Sequence, residues 1–300
     1  KSRILIIGVT GNIGFELARE SLKASHPTFG LVRDSSLSDQ TKLQKLRFLR
    51  DEGIQILEAR CFGSLQDEDA LIAALKRADV VISAVSSKQI LDQKLLIHAI
   101  KRAGCIKRFY PSEFGSDPDR TRVSELDRGF YSRKAEIRRL IEEERIPYTY
   151  ICCNFYMSYL LPSLVQPRDG KLTVFGDGNA KAVFMKESDV AAFTISTVDD
   201  PRLLNGALHL RPSENTVSMI DLANLWEIKT GTAMTRNHVT EEQLLARIHE
   251  TPYPENMDLV FIYSAFVKGD QTYFPTNGFE GTEAYPDINY TTVSQYLDTL

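Results

Sequence analysis

Ile4-Leu5-Ile6-Ile7 runs without a break into Gly8-Val9-Thr10-Gly11-Asn12-Ile13-Gly14, and how that junction is read decides the fold. Four consecutive aliphatic residues with no polar alternation predict a strand buried on both faces, as in the middle of a parallel sheet. Gly8 permits a sharp turn, Gly11 lets the backbone come close to a pyrophosphate, and Gly14 lets the following helix lie against the strand. The unpaired amides and the positive dipole end of that helix favour an anion without help from any basic side chain. A helix with an apolar face (Phe15, Leu17, Ala18, Leu22) and a second strand over 28–32 then complete a βαβ unit of the dinucleotide-binding kind.

Outward from this unit the pattern repeats. Helices are predicted over 43–52, 69–77, 89–103 and 131–144, and strands over 54–57, 79–84, 108–110 and 148–153. Regular alternation of this kind predicts an α/β fold, a doubly wound parallel sheet of Rossmann type with right-handed crossovers. Beyond residue 154 the alternation fades. Short strands over 171–175 and 182–185 flank the turn Gly176-Asp177-Gly178-Asn179, and helices are expected over 188–198, 219–230, 241–249, part of 256–267 and 292–300. The expected division is a nucleotide-binding domain over 1–153 and a smaller mixed region over 154–300 that supplies the substrate pocket.

Composition narrows the chemistry. The chain has 300 residues, 43% of them hydrophobic, enough for one large or two modest cores. A formal net charge of -4 with signs mixed along the chain offers no basic field, so a nucleic-acid partner is not expected. No apolar run approaches the roughly 18 residues that span a bilayer, and the first strand begins at once, so neither a membrane partner nor a signal peptide is expected. The cysteines, Cys61, Cys105, Cys152 and Cys153, show no Cys-x-x-Cys spacing, which suits a reducing cytoplasm. The five histidines include no pair at helical ligand spacing, so no metal is expected. A homodimer is left open.

The tip of the second strand chooses between dinucleotides. An acidic residue there bonds the ribose 2′-hydroxyl of NAD, whereas Arg33, helped by Lys42, pairs with a 2′-phosphate, so NADPH is favoured; Asp34 could serve the NAD role if the strand ended one residue later. On the helix before the sixth strand, Tyr131 and Lys134 stand three apart, not the four of the Tyr-x-x-x-Lys pair of short-chain dehydrogenases. Lys134 alone can still work as an acid or base if its surroundings bring its pKa toward neutrality; the plain alternative is a surface lysine in a charged helix. Glu113 is expected to satisfy the backbone of its own Pro-Ser-Glu-Phe-Gly turn.

An ordered series of motifs covers nearly the whole chain. It comprises the glycine turn, Arg108-Phe-Tyr-Pro-Ser-Glu-Phe-Gly115, Lys134 with Ile137-Arg-Arg139, Ile146-Pro-Tyr-Thr-Tyr-Ile151, Phe175-Gly-Asp-Gly-Asn179, Phe266-Val-Lys-Gly-Asp270, Tyr285-Pro286 and Tyr290-Thr-Thr-Val293. The series resembles the plant isoflavone reductase-like family, NmrA-like atypical short-chain dehydrogenases. That family includes phenylcoumaran benzylic ether, pinoresinol-lariciresinol and leucoanthocyanidin reductases and eugenol synthases. The resemblance implies that Gly8, Thr10, Gly11, Asn12, Ile13 and Gly14 bind the pyrophosphate and that Arg33 and Lys42 bind the 2′-phosphate. It places Ser86, Ser87, Asn154 and Phe155 at the nicotinamide end, makes Lys134 the catalytic acid/base, and gives Arg138 a part in holding the cofactor or keeping Lys134 uncharged.

Two departures touch the substrate: Tyr263 and Ser264 stand where some relatives carry a substrate-facing histidine, and the loop Gln166-Pro-Arg-Asp-Gly170 is short. The implied reaction is NADPH-dependent reduction of a plant phenylpropanoid-derived phenolic, with hydride passing to a benzylic carbon through a quinone methide. The C-terminal third, with Glu241-Glu-Gln-Leu-Leu245, favours the phenylcoumaran benzylic ether and isoflavone reductase branch. A lignan reductase and a leucoanthocyanidin reductase follow. A reading of another class is a non-catalytic NmrA-type NADP sensor, which needs the glycine turn but no lysine at 134.

Overall fold

The strand β1 (Ile4–Ile7) is buried along its whole length, as its unbroken aliphatic run requires. It pairs in parallel with β2 (Thr28–Arg33) on one side, Ile4 opposite Thr28, and with β4 (Val80–Ser83) on the other, Ile4 opposite Val80. Adding β3 (Gln55–Ala59) outside β2 and β5 (Arg108–Tyr110) outside β4 gives a five-stranded parallel sheet in the order β3-β2-β1-β4-β5. The computed structural model describes residues 1–33, 39–59, 68–166, 171–276 and 279–300, apart from the side chains of residues 33, 58 and 59. Asp34, Cys61 and most of the 166–170 loop lie outside the described residues.

The helices follow the sequence reading with small shifts at their ends. They are α1 (Asn12–Lys23), α2 (Gln40–Asp51), α3 (Glu68–Leu75), α4 (Gln93–Ala103) and α5 (Phe130–Glu143). The helix expected over 89–103 is in fact two pieces, a tight 3-10 segment at Ser87–Asp92 and then α4. The sixth strand, Thr149–Cys152, is linked to β5 by a bridge between Phe109 and Tyr148, and its partner in the ladder is Gly206–His209.

The chain gathers into two compact units. The first holds residues 1–113, 133–151 and 187–208, and the second holds 114–132, 152–186 and 209–300. Residues 187–208, which a single cut at 153 assigns to the C-terminal region, cluster with the parallel sheet because the helix Glu187–Ser196 packs along α1. Residues 114–132, on the other side of that cut, cluster with the second unit.

In the first unit the core is aliphatic, with Leu5, Ile7, Leu31, Val81, Ile97 and Ile100 gathered between sheet and helices. Truncating any one of these to alanine would cost about 2–5 kcal/mol. In the second unit the core is richer in aromatics and methionine, including Phe155, Phe184, Phe266, Met157 and Met219. Its small sheets are Thr216–Ser218 with Lys181–Met185 and Phe155–Tyr156, and Thr235–Val239 with Lys171–Phe175.

Candidate active site

Strand order reverses direction at β1, whose neighbours are β2 and β4, and in open α/β sheets a crevice forms outside the carboxyl ends of the strands at such a point. A cavity of about 230 Å³ lies there in the first unit. Its walls are the segment after β1 (Gly8, Thr10, Gly11), the end of β2 (Leu31, Val32), Lys42, and the segment after β4 (Ala84, Val85, Ser86, Gln89).

The glycines of the turn are there for want of space. Gly8 has φ +91°, and a Cβ on it would meet the Ala84 carbonyl oxygen at 2.4 Å. A Cβ on Gly14 would stand 2.1 Å from the Gly8 oxygen. Gly11 is different, since its nearest neighbour would be 3.3 Å away and its exposed backbone opens onto the cavity. It also caps α1, whose first residues are Asn12 and Ile13. No side chain caps that helix end, which leaves its amides for a phosphate. These residues fit a dinucleotide: the turn has room for backbone approach where a pyrophosphate would lie.

Lys42 lies in the first turn of α2, 3.6 Å from Asp39, and lines the cavity. The backbone of Arg33 ends β2 opposite Ala59, while its side chain and Asp34 fall outside the described residues. Lys45, which the sequence reading passed over, reaches back to the Thr10 carbonyl at 3.4 Å and sits over the Phe15 ring. Ser86 and Ser87 are exposed at the start of the 3-10 segment, and Ser86 bonds Gln89 at 3.2 Å.

Lys134 is a buried lysine, 6% exposed, so it is not the surface residue that its charged helix permits. Its Nζ donates to the Glu113 carbonyl at 2.9 Å. Glu113 shows a side-chain partner that the sequence reading did not foresee: Arg138 Nε donates to Glu113 Oε2 at 2.8 Å, and Nη2 pairs with Oε1. The pair is 3% and 4% exposed, and a fork-on-fork geometry of this kind is what makes a buried pair tolerable. The Arg138 guanidinium also lies 4.3 Å from the Tyr150 ring centroid. Burial, with Glu142 nearby, holds the Tyr150 hydroxyl well above its ordinary pKa, so it stays a neutral donor.

Ser112, the residue before the lysine's anchor Glu113, is itself bonded to the cavity wall. Ser112 gives its hydroxyl to the Val85 carbonyl at 2.8 Å and its backbone N–H to the side chain of Gln93 at 2.7 Å. Gln93, 2% exposed on an otherwise apolar helix face, and Ser112 are site residues that sequence reasoning missed. The available signal was a lone amide among the buried positions of α4.

The remaining sequence-derived residues belong to the second unit. Asn154 adopts φ +61° and donates to the Leu210 carbonyl at 3.1 Å, and Phe155 begins a short buried strand. Tyr263 is buried, with its hydroxyl on Glu241 at 2.8 Å, and Ser264 bonds Asp270 at 2.7 Å. Tyr131 is 4% exposed, with its hydroxyl toward Ser116 and Ser264 and its pKa pushed up by burial, so it supplies no readily ionised partner of the Tyr-x-x-x-Lys type.

Residues 1–297 match the NmrA-like family over essentially the whole chain. The chain is 56% identical to the probable pinoresinol-lariciresinol reductase 3 of Arabidopsis thaliana, with 100% of this chain and 98% of that protein covered. It is 50% identical to the phenylcoumaran benzylic ether reductase IRL1 of Ginkgo biloba, covering 99% and 98%. Among solved structures, AtPrR2 with NADP+ and (+)pinoresinol superimposes with a TM-score of 0.92 at 33% identity, covering 100% and 98%. The chain therefore belongs to the NmrA-like family and, within it, to the isoflavone reductase-like oxidoreductases.

Proposed function

We propose that the protein is an NADPH-dependent reductase of phenylpropanoid-derived phenolics that opens a benzylic ether. The observation that carries this reading is a buried lysine anchored on the Glu113 carbonyl, next in the chain to Ser112, whose hydroxyl bonds Val85 in the wall of the cavity at the carboxyl ends of β1 and β4. The glycine turn, with Thr10, Asn12 and Ile13, holds the pyrophosphate on its amides, and Arg33 and Lys42 face the 2′-phosphate. Bound there, NADPH supplies the hydride that a benzylic carbon receives. Ser86 and Ser87 border the nicotinamide end, and the same reading assigns Asn154 and Phe155 to it and Tyr263 and Ser264 to the substrate.

Lys134, in its neutral form, takes the phenolic proton of the substrate. The phenolate electrons then expel the benzylic ether oxygen and leave a quinone methide as hydride acceptor, and the freed oxygen is reprotonated. Glu113 and Arg138 orient the amine and hold it at a fixed depth, because positioning supplies much of such a rate. The cytoplasm is the compartment that the reading favours.

A second reading, reduction of pinoresinol or lariciresinol, is favoured by the Arabidopsis relative and by the pinoresinol bound to AtPrR2. Incubation with NADPH and a panel of phenylcoumaran, furofuran lignan, isoflavone and leucoanthocyanidin substrates separates these readings. Cofactor oxidation with one class assigns the substrate. Tight NADPH binding with no oxidation on any of them would overturn the enzyme reading in favour of a sensor.

A further inference from the structure

The histidine spacing excluded only metal pairs on one helix, whereas the fold assembles donors from three distant stretches of the second unit. Asp117 lies in the loop after Gly115, Cys152 ends the sixth strand, and His209 ends the strand beside it, where Leu210 N–H bonds the Cys152 carbonyl at 2.9 Å. One ligand atom from each lies within 4.8 Å of the other two. All three residues are buried, at 8%, 1% and 9% exposure.

The imidazole is the informative member. Its Nε2 meets Asp117 Oδ2 at 3.0 Å, while Nδ1 is buried with no hydrogen-bond partner among the described residues. Nε2 is therefore the ring nitrogen on the same side as the carboxylate, and it is the one that an ion shared with Asp117 would take, with the ring proton then on Nδ1. The ring edge rests against Phe274, with centroids 5.6 Å apart, so one wall of the site is apolar. Asp117 is itself oriented, since its Oδ1 accepts the Asp119 N–H at 3.1 Å.

We propose that Asp117, Cys152 and His209 form a binding site for a soft divalent cation of the zinc class. A thiolate, an imidazole and a carboxylate are a standard donor mixture for Zn2+, and around one such ion a sulfur and a nitrogen stand about 3.5 Å apart, within the spread seen here. Binding replaces the thiol proton, which leaves to solvent, with a metal–sulfur bond, and adds metal–nitrogen and metal–oxygen bonds. The two anionic ligands then balance the charge of the ion. A neutral centre is compatible with Arg211, whose charge interacts with Asp117, Cys152 and Glu280. None of the three ligands is a residue assigned to hydride transfer, and the role of the site is to tie a loop to two strand ends.

The test uses the full-length protein carrying Cys61→Ser and Cys105→Ser, stripped with chelator and titrated with Co2+ as a spectroscopic stand-in for Zn2+. One equivalent should bind with a near-ultraviolet thiolate-to-cobalt band and visible bands of a tetrahedral ion. Cys152→Ser should abolish the ultraviolet band, and His209→Gln should weaken uptake by about tenfold or more. No uptake by the unaltered site, or a thiolate band that survives Cys152→Ser in a protein with native circular dichroism, overturns the proposal. Because the first readout needs no substitution at the site, a folding defect in either variant cannot hide the answer.

Discussion

Arg138 grips the carboxylate of Glu113 with two nitrogens, and Lys134, four residues earlier on the same helix, takes the carbonyl of that same residue. One residue therefore fixes two side chains of α5, one through its backbone and one through its side chain. Removing either partner of a buried pair takes a two-point contact from the other buried charge. Arg138→Leu and Glu113→Ala should each destabilise the protein by about 3–5 kcal/mol, read as a lower urea midpoint with an unchanged slope. The double variant Glu113→Ala/Arg138→Leu should recover much of that loss. A double variant as unstable as the sum of the singles would argue against the pair as the origin of the effect.

Lys134→Met keeps the length of the side chain and removes the amine. If the amine takes the substrate proton, turnover should fall by about 100-fold or more while NADPH affinity, read by fluorescence titration, changes little. Loss of affinity in step with turnover would mean that the lysine holds the cofactor instead.

The three glycines of the opening turn should part company on substitution. Gly8→Ala and Gly14→Ala force a Cβ to within 2.4 Å and 2.1 Å of carbonyl oxygens and should cost fold stability as well as binding. Gly11→Ala meets its nearest atom at 3.3 Å, so its melting temperature should stay near that of the unaltered protein. Its NADPH dissociation constant should rise by about tenfold, a loss near 1.4 kcal/mol, because the methyl group occupies the space where a pyrophosphate approaches the backbone. A Gly11→Ala protein that binds NADPH normally would remove that turn from the cofactor site.

The parallel sheet and the glycine turn were legible because each residue there answers to one local demand: continuous aliphatics for a strand buried on both faces, glycine where no Cβ fits. The burial of Lys134 was not legible in its helix, since its neighbours Arg133, Glu136, Arg138 and Arg139 read as a solvated face. The Glu113–Arg138 pair joins residues 25 apart in sequence, and no periodicity reports a contact of that range. In the second unit, Thr235–Val239 is a strand with four polar residues of five, held by its parallel ladder to Lys171–Phe175, so hydropathy carried no sign of it. The helix Met157–Val165 contains Pro162, which argues against a helix from sequence and is accommodated within a short one.

Lys42 allows the dinucleotide preference to be tested separately from the fold. It is partly exposed and paired loosely with Asp39, so Lys42→Ala should leave stability within about 0.5 kcal/mol. A lost ion contact to a 2′-phosphate should raise the NADPH dissociation constant by several-fold to about tenfold and leave NADH unchanged. Equal weakening of both nucleotides would place Lys42 at the pyrophosphate instead.

Asp79 ties the start of β4 to the strands on either side. Arg3 donates both its backbone N–H, at 3.0 Å, and its Nε, at 2.9 Å, to the Asp79 carboxylate, and Lys107 stands 3.2 Å away. The Arg3 side-chain hydrogen bond holds the Asp79 pKa well below the usual carboxylate range, despite an opposing contribution from burial. A depressed folded-state pKa contributes stability that is fully present above the unfolded value near 4 and is lost as pH falls through the folded value. Arg3 is half exposed, so screening limits the contribution to about 1 kcal/mol. Urea unfolding of the unaltered protein and Asp79→Asn should show that difference at pH 7 and pH 5 and a shrinking one below pH 4. A gap that widens on acidification would mean that the carboxylate is not the group that Arg3 stabilises.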